Sequence, residues 1–179
     1  MSDDIESSIV YENLFFASAE ISGMHFKIFS SQKGINHIYI NKKTAKVESS
    51  NLTSLYPDDP LMFNAFKELR EYFLNKRKVF DVPLDLHGSD FQMKVWEELL
   101  KIPYGKAISY KTLSERLGDK NLVRAVGKAN GSNPVPVIVP CHRVINADGS
   151  MGGYSTGLPV KEKLLELEGI MNLNLFSQI

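Results

Sequence analysis

At 179 residues, with 43% hydrophobic and 23% charged side chains, the chain has the length of one large or two small domains and the composition of a soluble globular protein. Its one cysteine excludes an internal disulfide framework and a zinc site built from several thiolates, and agrees with a reducing, cytoplasmic setting. The acidic start Met1-Ser2-Asp3-Asp4-Ile5-Glu6 lacks the layout of a signal peptide, and no apolar run approaches a membrane span, so no membrane partner is expected. Net charge is zero but unevenly spread. Residues 1–87 carry ten Lys/Arg against twelve Asp/Glu, whereas residues 101–143 carry eight basic residues against Glu115 and Asp119 alone. Such a basic stretch suits a phosphate-binding surface and, on charge alone, a solvated face equally.

Residues 8–48 read as a β meander. Ile21 to Phe29 roughly alternates, Ser31-Gln32-Lys33-Gly34 is a turn, Ile35 to Ile40 alternates again, and Asn41-Lys42-Lys43 turns once more. His25 and His37 fall in these strands without further ligand spacing and read as structural or surface residues. The polar segment Ser49 to Asp59 is expected to be a loop. Asp59-Pro60 starts a helix reaching about Asn75, whose stripe of Met62, Phe66, Leu69 and Phe73 is core packing. Val79 to Leu86 reads as a short strand. A boundary is placed after His87, dividing the chain into 1–87 and 88–179, because composition and hydrophobic period both change there.

Ser89-Asp90-Phe91-Gln92 is a capping box, and the helix it opens ends before Pro103. Ser109 can cap a helix from Tyr110 to Leu117, stopped by Gly118, and a second helix runs from about Asn121 to Asn130. Leu113, Leu117, Leu122, Val126 and Ala129 can pack the pair together. Two short helices in the basic segment suggest a helix-turn-helix, with Ala125, Gly127 and Ala129 keeping the second one thin. The apolar run Val137-Ile138-Val139-Pro140 then delivers Cys141. A flexible loop, Gly152 to Gly157, precedes a last helix from Leu158 to Glu168. The tail from Ile170 carries no functional signal. The expected class is α+β: an N-terminal antiparallel sheet with a helix, then a mainly helical part carrying the helix-turn-helix and the cysteine.

A lone cysteine can be a nucleophile that turns over, an acceptor that keeps a group, or a buried small hydrophobe. The thiolate is the reactive form, so a neighbour must favour it. His142 is adjacent, but in an extended segment residues i and i+1 point to opposite faces. A bent backbone or a bridging water would then be needed. A cysteine hydrolase drawing on His25, His37 or His87 stays open.

Residues 91–169 resemble the catalytic domain of the O6-alkylguanine-DNA alkyltransferases, also called methylated-DNA–protein-cysteine methyltransferases. The stretches carrying the resemblance are Ile102-Pro103-Tyr104-Gly105, Ser109-Tyr110, Arg124-Ala125-Val126-Gly127, Asn133-Pro134-Val135-Pro136, Pro140-Cys141-His142-Arg143-Val144, Gly153-Tyr154-Ser155 and Lys161-Glu162-Lys163-Leu164-Leu165, in family order and spacing. The N-terminal half fits the family's ribonuclease-H-like layout loosely, and the helix-turn-helix its winged-helix-like DNA-binding part.

The resemblance implies single-turnover, irreversible transfer of an alkyl group from O6-alkylguanine, and from O4-alkylthymine, in duplex DNA to Cys141 after base flipping, by a monomer without metal or cofactor. It implies a relay in which Glu168 polarises His142 and a water links His142 to Cys141, with Asn133 holding the turn and Tyr110 donating a proton to the base. The backbone of Cys141, Val144 and Ser155 is then expected to read the base, with Tyr154, Thr156 and Lys161 in the pocket. Arg124 would fill the vacated stack, and Ala125, Lys128 and Ala129 would face the minor groove. A non-catalytic binder of alkylated DNA is the alternative, and the presence of Cys141 argues against it.

Overall fold

The computed structural model describes residues 11–42 and 49–171; the expectations that fall on 8–10, 43–48 and 172–179 lie outside them. Strands β1 (Tyr11–Ile21), β2 (Met24–Ser30) and β3 (Ile35–Ile40) form the expected antiparallel meander. Alternation drives it: Met24, Phe26 and Ile28 turn into the core while His25 stays exposed.

Ser49–Ser54 is not loop but a fourth strand, β4, which pairs parallel with β1 and makes the sheet mixed, in the order β3-β2-β1-β4. Asn51, Leu52, Thr53 and Ser54 are all exposed, so main-chain bonds to β1 hold this edge and no side-chain period marks it. The reverse holds for 79–86. Leu84 makes only an isolated bridge to Ile35, and Pro83, with no N–H to give, offers its carbonyl to Ile35.

Helix α1 (Pro60–Phe73) opens as expected, with Asp59 accepting from the Leu61 N–H at 3.0 Å. Met62, Phe66, Leu69 and Tyr72 are completely buried against the sheet, each burial contributing roughly 1.5–3 kcal/mol. The predicted stripe holds, except that Tyr72 takes the deepest place on the last turn and Phe73 is only partly covered.

Helix α2 (Asp90–Leu100) carries the predicted capping box, both of whose hydrogen bonds form between Ser89 and Gln92. Its Trp96 donates Nε1–H to the Ala129 carbonyl at 2.9 Å and so ties α2 to the helix-turn-helix. That unit comprises α3 (Tyr110–Arg116), capped by Ser109, a 3-10 turn at Lys120–Leu122, and α4 (Val123–Gly131). Leu113 and Val126 close the contact between the two helices.

A two-residue strand, β5 (Ile108–Ser109), pairs parallel with β6 (Val144–Ile145). β5 leads directly into Tyr110 and β6 follows directly from Cys141–Arg143, so this short ladder sets the first turn of α3 beside the cysteine. Helix α5 (Leu158–Leu167) is the last element among the described residues. The Ile38 N–H reaches the Pro134 carbonyl at 2.8 Å, joining the sheet to the segment that leads to the thiol. Among the described residues no helix is long and apolar enough to cross a membrane.

Candidate active site

Asn133 builds the approach to the thiol. Its Oδ1 accepts from the Val135 N–H at 3.0 Å, and its Nδ2 donates to the Val139 carbonyl at 2.8 Å and to Cys141 Sγ at 2.9 Å. Between these anchors Val137 has φ 78°, a costly conformation for a β-branched residue, sustained because the surrounding run is fully buried. The chain then enters a 3-10 turn, Cys141–Arg143, rather than a strand. The backbone is bent at this point, yet the bend alone does not join the two adjacent side chains.

Cys141 is 1% exposed. Burial pushes its thiol pKa up, and hydrogen bonding from Asn133 and Tyr154 together with the charge of Lys161 opposes the rise. The thiol is therefore the resting form.

His142 is fully buried and makes no hydrogen bond to Cys141; its Nε2 meets Glu168 Oε1 at 2.9 Å. The same carboxylate accepts from Arg143 Nε at 2.9 Å and Nη2 at 2.9 Å, from the Tyr72 hydroxyl at 2.6 Å, and from the Gly105 N–H at 3.1 Å. Gly105 has φ 73°, and a Cβ there would stand 3.2 Å from the Glu168 carbonyl, so this N–H contact depends on glycine. Burial would raise the Glu168 pKa, but the hydrogen bonds and charges of His142 and Arg143 outweigh it and bring it to about 2. An ionised carboxylate at 2.9 Å places the imidazole proton on Nε2 and leaves Nδ1 a bare acceptor. Burial lowers the His142 pKa against the pull of Glu168, so the ring is neutral at rest.

Lys161, fully buried, donates Nζ to the Val144 carbonyl at 2.6 Å and to the Met151 carbonyl. Burial lowers its pKa to about 8, with Cys141 opposing. The Cys141 carbonyl accepts weakly from Asn130 Nδ2 at 3.4 Å. The Cys141 carbonyl also accepts from the Val144 N–H, so both of its lone pairs are engaged, the one toward Asn130 weakly. Tyr110 lies against Asn130, and burial, reinforced by Cys141, pushes its phenol pKa up. Gly152 comes so close that a Cβ would stand 3.0 Å from the Tyr110 ring.

Among the described residues His142 Nδ1 is buried without a hydrogen-bond partner, whereas the Tyr154 hydroxyl lies between Cys141 and Thr156 and the Asn130 side chain meets Tyr110. Native interiors rarely leave a buried ring nitrogen unpaired, so His142 Nδ1 is placed to receive a donor.

Beside it opens a cleft of about 490 Å³ lined by Tyr110, Arg124, Gly127, Tyr154 and Ser155 among others. Arg124, Ala125 and Lys128 are exposed on α4. Ala129 is not: it is 3% exposed and packs in the core toward α2, because its side chain shares the helix face of Val126. The outward small residue of that turn is Gly127.

Three participants escaped the sequence reading. Arg143 was legible only as part of a motif and Asn130 as a helix end, and Tyr72 lay outside the predicted stripe of α1. A buried arginine immediately after a cysteine–histidine pair was the available signal, since its charge demands a carboxylate.

Residues 90–170 match the DNA-binding domain of 6-O-methylguanine DNA methyltransferase, and residues 25–86 match the ribonuclease-like domain of the same protein. A Mycobacterium tuberculosis methylated-DNA–protein-cysteine methyltransferase is 49% identical over 112 residues, covering 63% of this chain and 68% of that protein. The Methanosarcina acetivorans protein of the same name is 38% identical over 156 residues, covering 82% of this chain and 99% of its own. The crystal structure of Mycobacterium tuberculosis OGT in complex with DNA is similar with a TM-score of 0.80 and 35% identity, over 87% of this chain and 93% of that one. With the His142–Glu168 pair, the buried thiol and the helix-turn-helix on one scaffold, the chain belongs to the methylated-DNA–protein-cysteine methyltransferase family.

Proposed function

We propose that this protein repairs alkylated DNA by moving the alkyl group of O6-alkylguanine, and of O4-alkylthymine, onto Cys141, once per molecule. The observation that carries the reading is the placement of Cys141 Sγ, 2.9 Å from Asn133 Nδ2, next to a His142 whose far nitrogen is fixed by Glu168. The thiol proton passes through a water to Nδ1 of His142, and the imidazolium is stabilised by Glu168. Sulfur attacks the saturated carbon on O6; the S–C bond forms as the C–O bond breaks, and its electron pair goes to the guanine. Tyr110 supplies a proton to the departing ring and recovers one from the relay through solvent, so the net transfer is of the thiol hydrogen to guanine. The thioether has no path back to thiol within the site, and the protein is consumed.

The target carbon lies inside the duplex, so the nucleotide is flipped into the cleft at a cost of a few kcal/mol. Exposed Arg124 at the rim is suited to occupy the emptied stack, with Ala125 and Lys128 against the minor groove. The relative solved in complex with DNA supports DNA as the partner. Residues 88–179 would hold the chemistry and 1–87 would buttress it, in a cytoplasmic monomer.

Transfer of labelled methyl from O6-methylguanine duplex to the wild-type protein but not to Cys141→Ala tests the reading. Binding of the lesion without label on the wild type would replace it with a sensor that only binds.

A further inference from the structure

Tyr72 belongs to the N-terminal lobe, yet its hydroxyl makes the shortest of the hydrogen bonds received by Glu168, 2.6 Å to Oε1. That oxygen is the one facing His142 Nε2. The Tyr72 ring is completely buried and wedged edge-on against Phe73 and Tyr104, with centroids at 5.2 and 6.0 Å. Burial, then the Glu168 charge, holds the phenol protonated far above neutral pH, so it is a permanent donor. Nothing in the transfer chemistry calls for a phenol on this side of the carboxylate.

We propose that Tyr72 is a positioning residue for the transfer: its hydroxyl, delivered by the last turn of α1, fixes Oε1 of Glu168 against Nε2 of His142 and leaves Nδ1 as the acceptor toward Cys141. The proposal rests on the reading of Cys141 as the alkyl acceptor and gives the sheet-and-helix lobe a direct part in the reaction. Two consequences follow from the geometry. Arg143 and the Gly105 N–H still hold the carboxylate if the hydroxyl is lost, so the site survives its removal. The freed electron density on Oε1 then turns to His142 and stabilises its charged form, which cannot accept the thiol proton. The charged and titratable groups acting on the imidazole are Glu168 and Lys161 from α5 and its end and Arg143 from its own turn, with the Tyr72 hydroxyl from α1 reaching the same Glu168 oxygen.

The test is the pH profile of the single-turnover transfer rate, with 15N spectra of the His142 ring followed over the same pH range. Tyr72→Phe should be about three- to tenfold slower at neutral pH, with its rising limb and the His142 titration displaced to higher pH. Replacing Tyr72 with 3-fluorotyrosine, a stronger donor that keeps ring and hydrogen bond, should displace both to lower pH, and it serves if the phenylalanine variant fails to fold. Tyr104→Phe is the control. Its hydroxyl crosses the same interface to Leu167 O at 3.0 Å and Asn75 Oδ1 at 3.2 Å without touching Glu168, and its profile should not move. Unchanged profiles in both Tyr72 variants, or an equal displacement in Tyr104→Phe, overturn the proposal. Absence of transfer by the wild type would instead defeat the acceptor reading, and the His142 titration would still decide for or against Tyr72.

Discussion

Arg143 reaches Glu168 through both Nε and Nη2, each at 2.9 Å, in a place where both side chains are almost wholly removed from solvent. Glu168 caps the C-terminus of α5, the negative end of the helix dipole and an unfavourable seat for a carboxylate. The guanidinium offsets this, and so frees the carboxylate to serve His142 without becoming protonated. Removing one member strands the other. Glu168→Gln should cost about 3–5 kcal/mol in urea unfolding and abolish transfer, whereas Arg143→Met combined with Glu168→Met should regain much of the stability and none of the transfer. A singly substituted protein as stable as wild type would contradict this account of the pair.

The same carboxylate sets an acid limb. Its pKa is about 2 in the folded protein against an ordinary 4.5, so between these values the unfolded chain binds a proton that the folded one does not. Acid therefore favours unfolding. The contribution, on the order of 3 kcal/mol, is complete above pH 4.5 and is lost as the pH falls toward 2. Urea midpoints measured down this range should fall more steeply for wild type than for Glu168→Gln.

Alkylation should weaken the fold. Cys141 is 1% exposed and its sulfur accepts from Asn133, which in turn clamps Val139. A methyl on that sulfur adds volume to a filled site, a change that costs about 1–3 kcal/mol. Calorimetry of the methylated protein should show a melting temperature several degrees below that of the free thiol; an equal or higher value would mean that the pocket has room to spare.

Arg124 separates stack-filling from simple phosphate contact. Arg124→Ala should slow transfer from duplex DNA about ten- to a hundredfold while leaving transfer from free O6-methylguanine unchanged, because only the duplex must be unstacked. A variant that loses affinity with a shallower salt dependence, but transfers normally once bound, would show a phosphate contact instead.

What could be read from the chain depended on whether side chains or backbone did the work. The α1 stripe, the Ser89 capping box and the paired helices were legible because hydrophobic period and cap chemistry are written in residue types. β4 was not, since an exposed polar edge is held by main-chain bonds that any residue can make. Residues 79–86 misled in the opposite sense, being apolar enough for a strand while Pro83 denies the ladder a donor. Within the site, the motif singled out Cys141, His142 and Asn133, but Tyr72 lies 96 positions from Glu168, and no local pattern announces a contact across that separation. By sequence Ala129 reads both as packing the helix pair and as facing the groove; its burial beside Val126 bears out the first reading and not the second.

The central claim is that Cys141 accepts one group and keeps it. The most direct measurement is intact-protein and peptide mass spectrometry after incubation with an excess of O6-methylguanine duplex, alongside counting of repaired guanine when the duplex exceeds the protein. The account predicts a single added methyl, carried by Cys141, and one repaired base per protein molecule. Repair of many bases per molecule, or a methyl on any other residue, would contradict it.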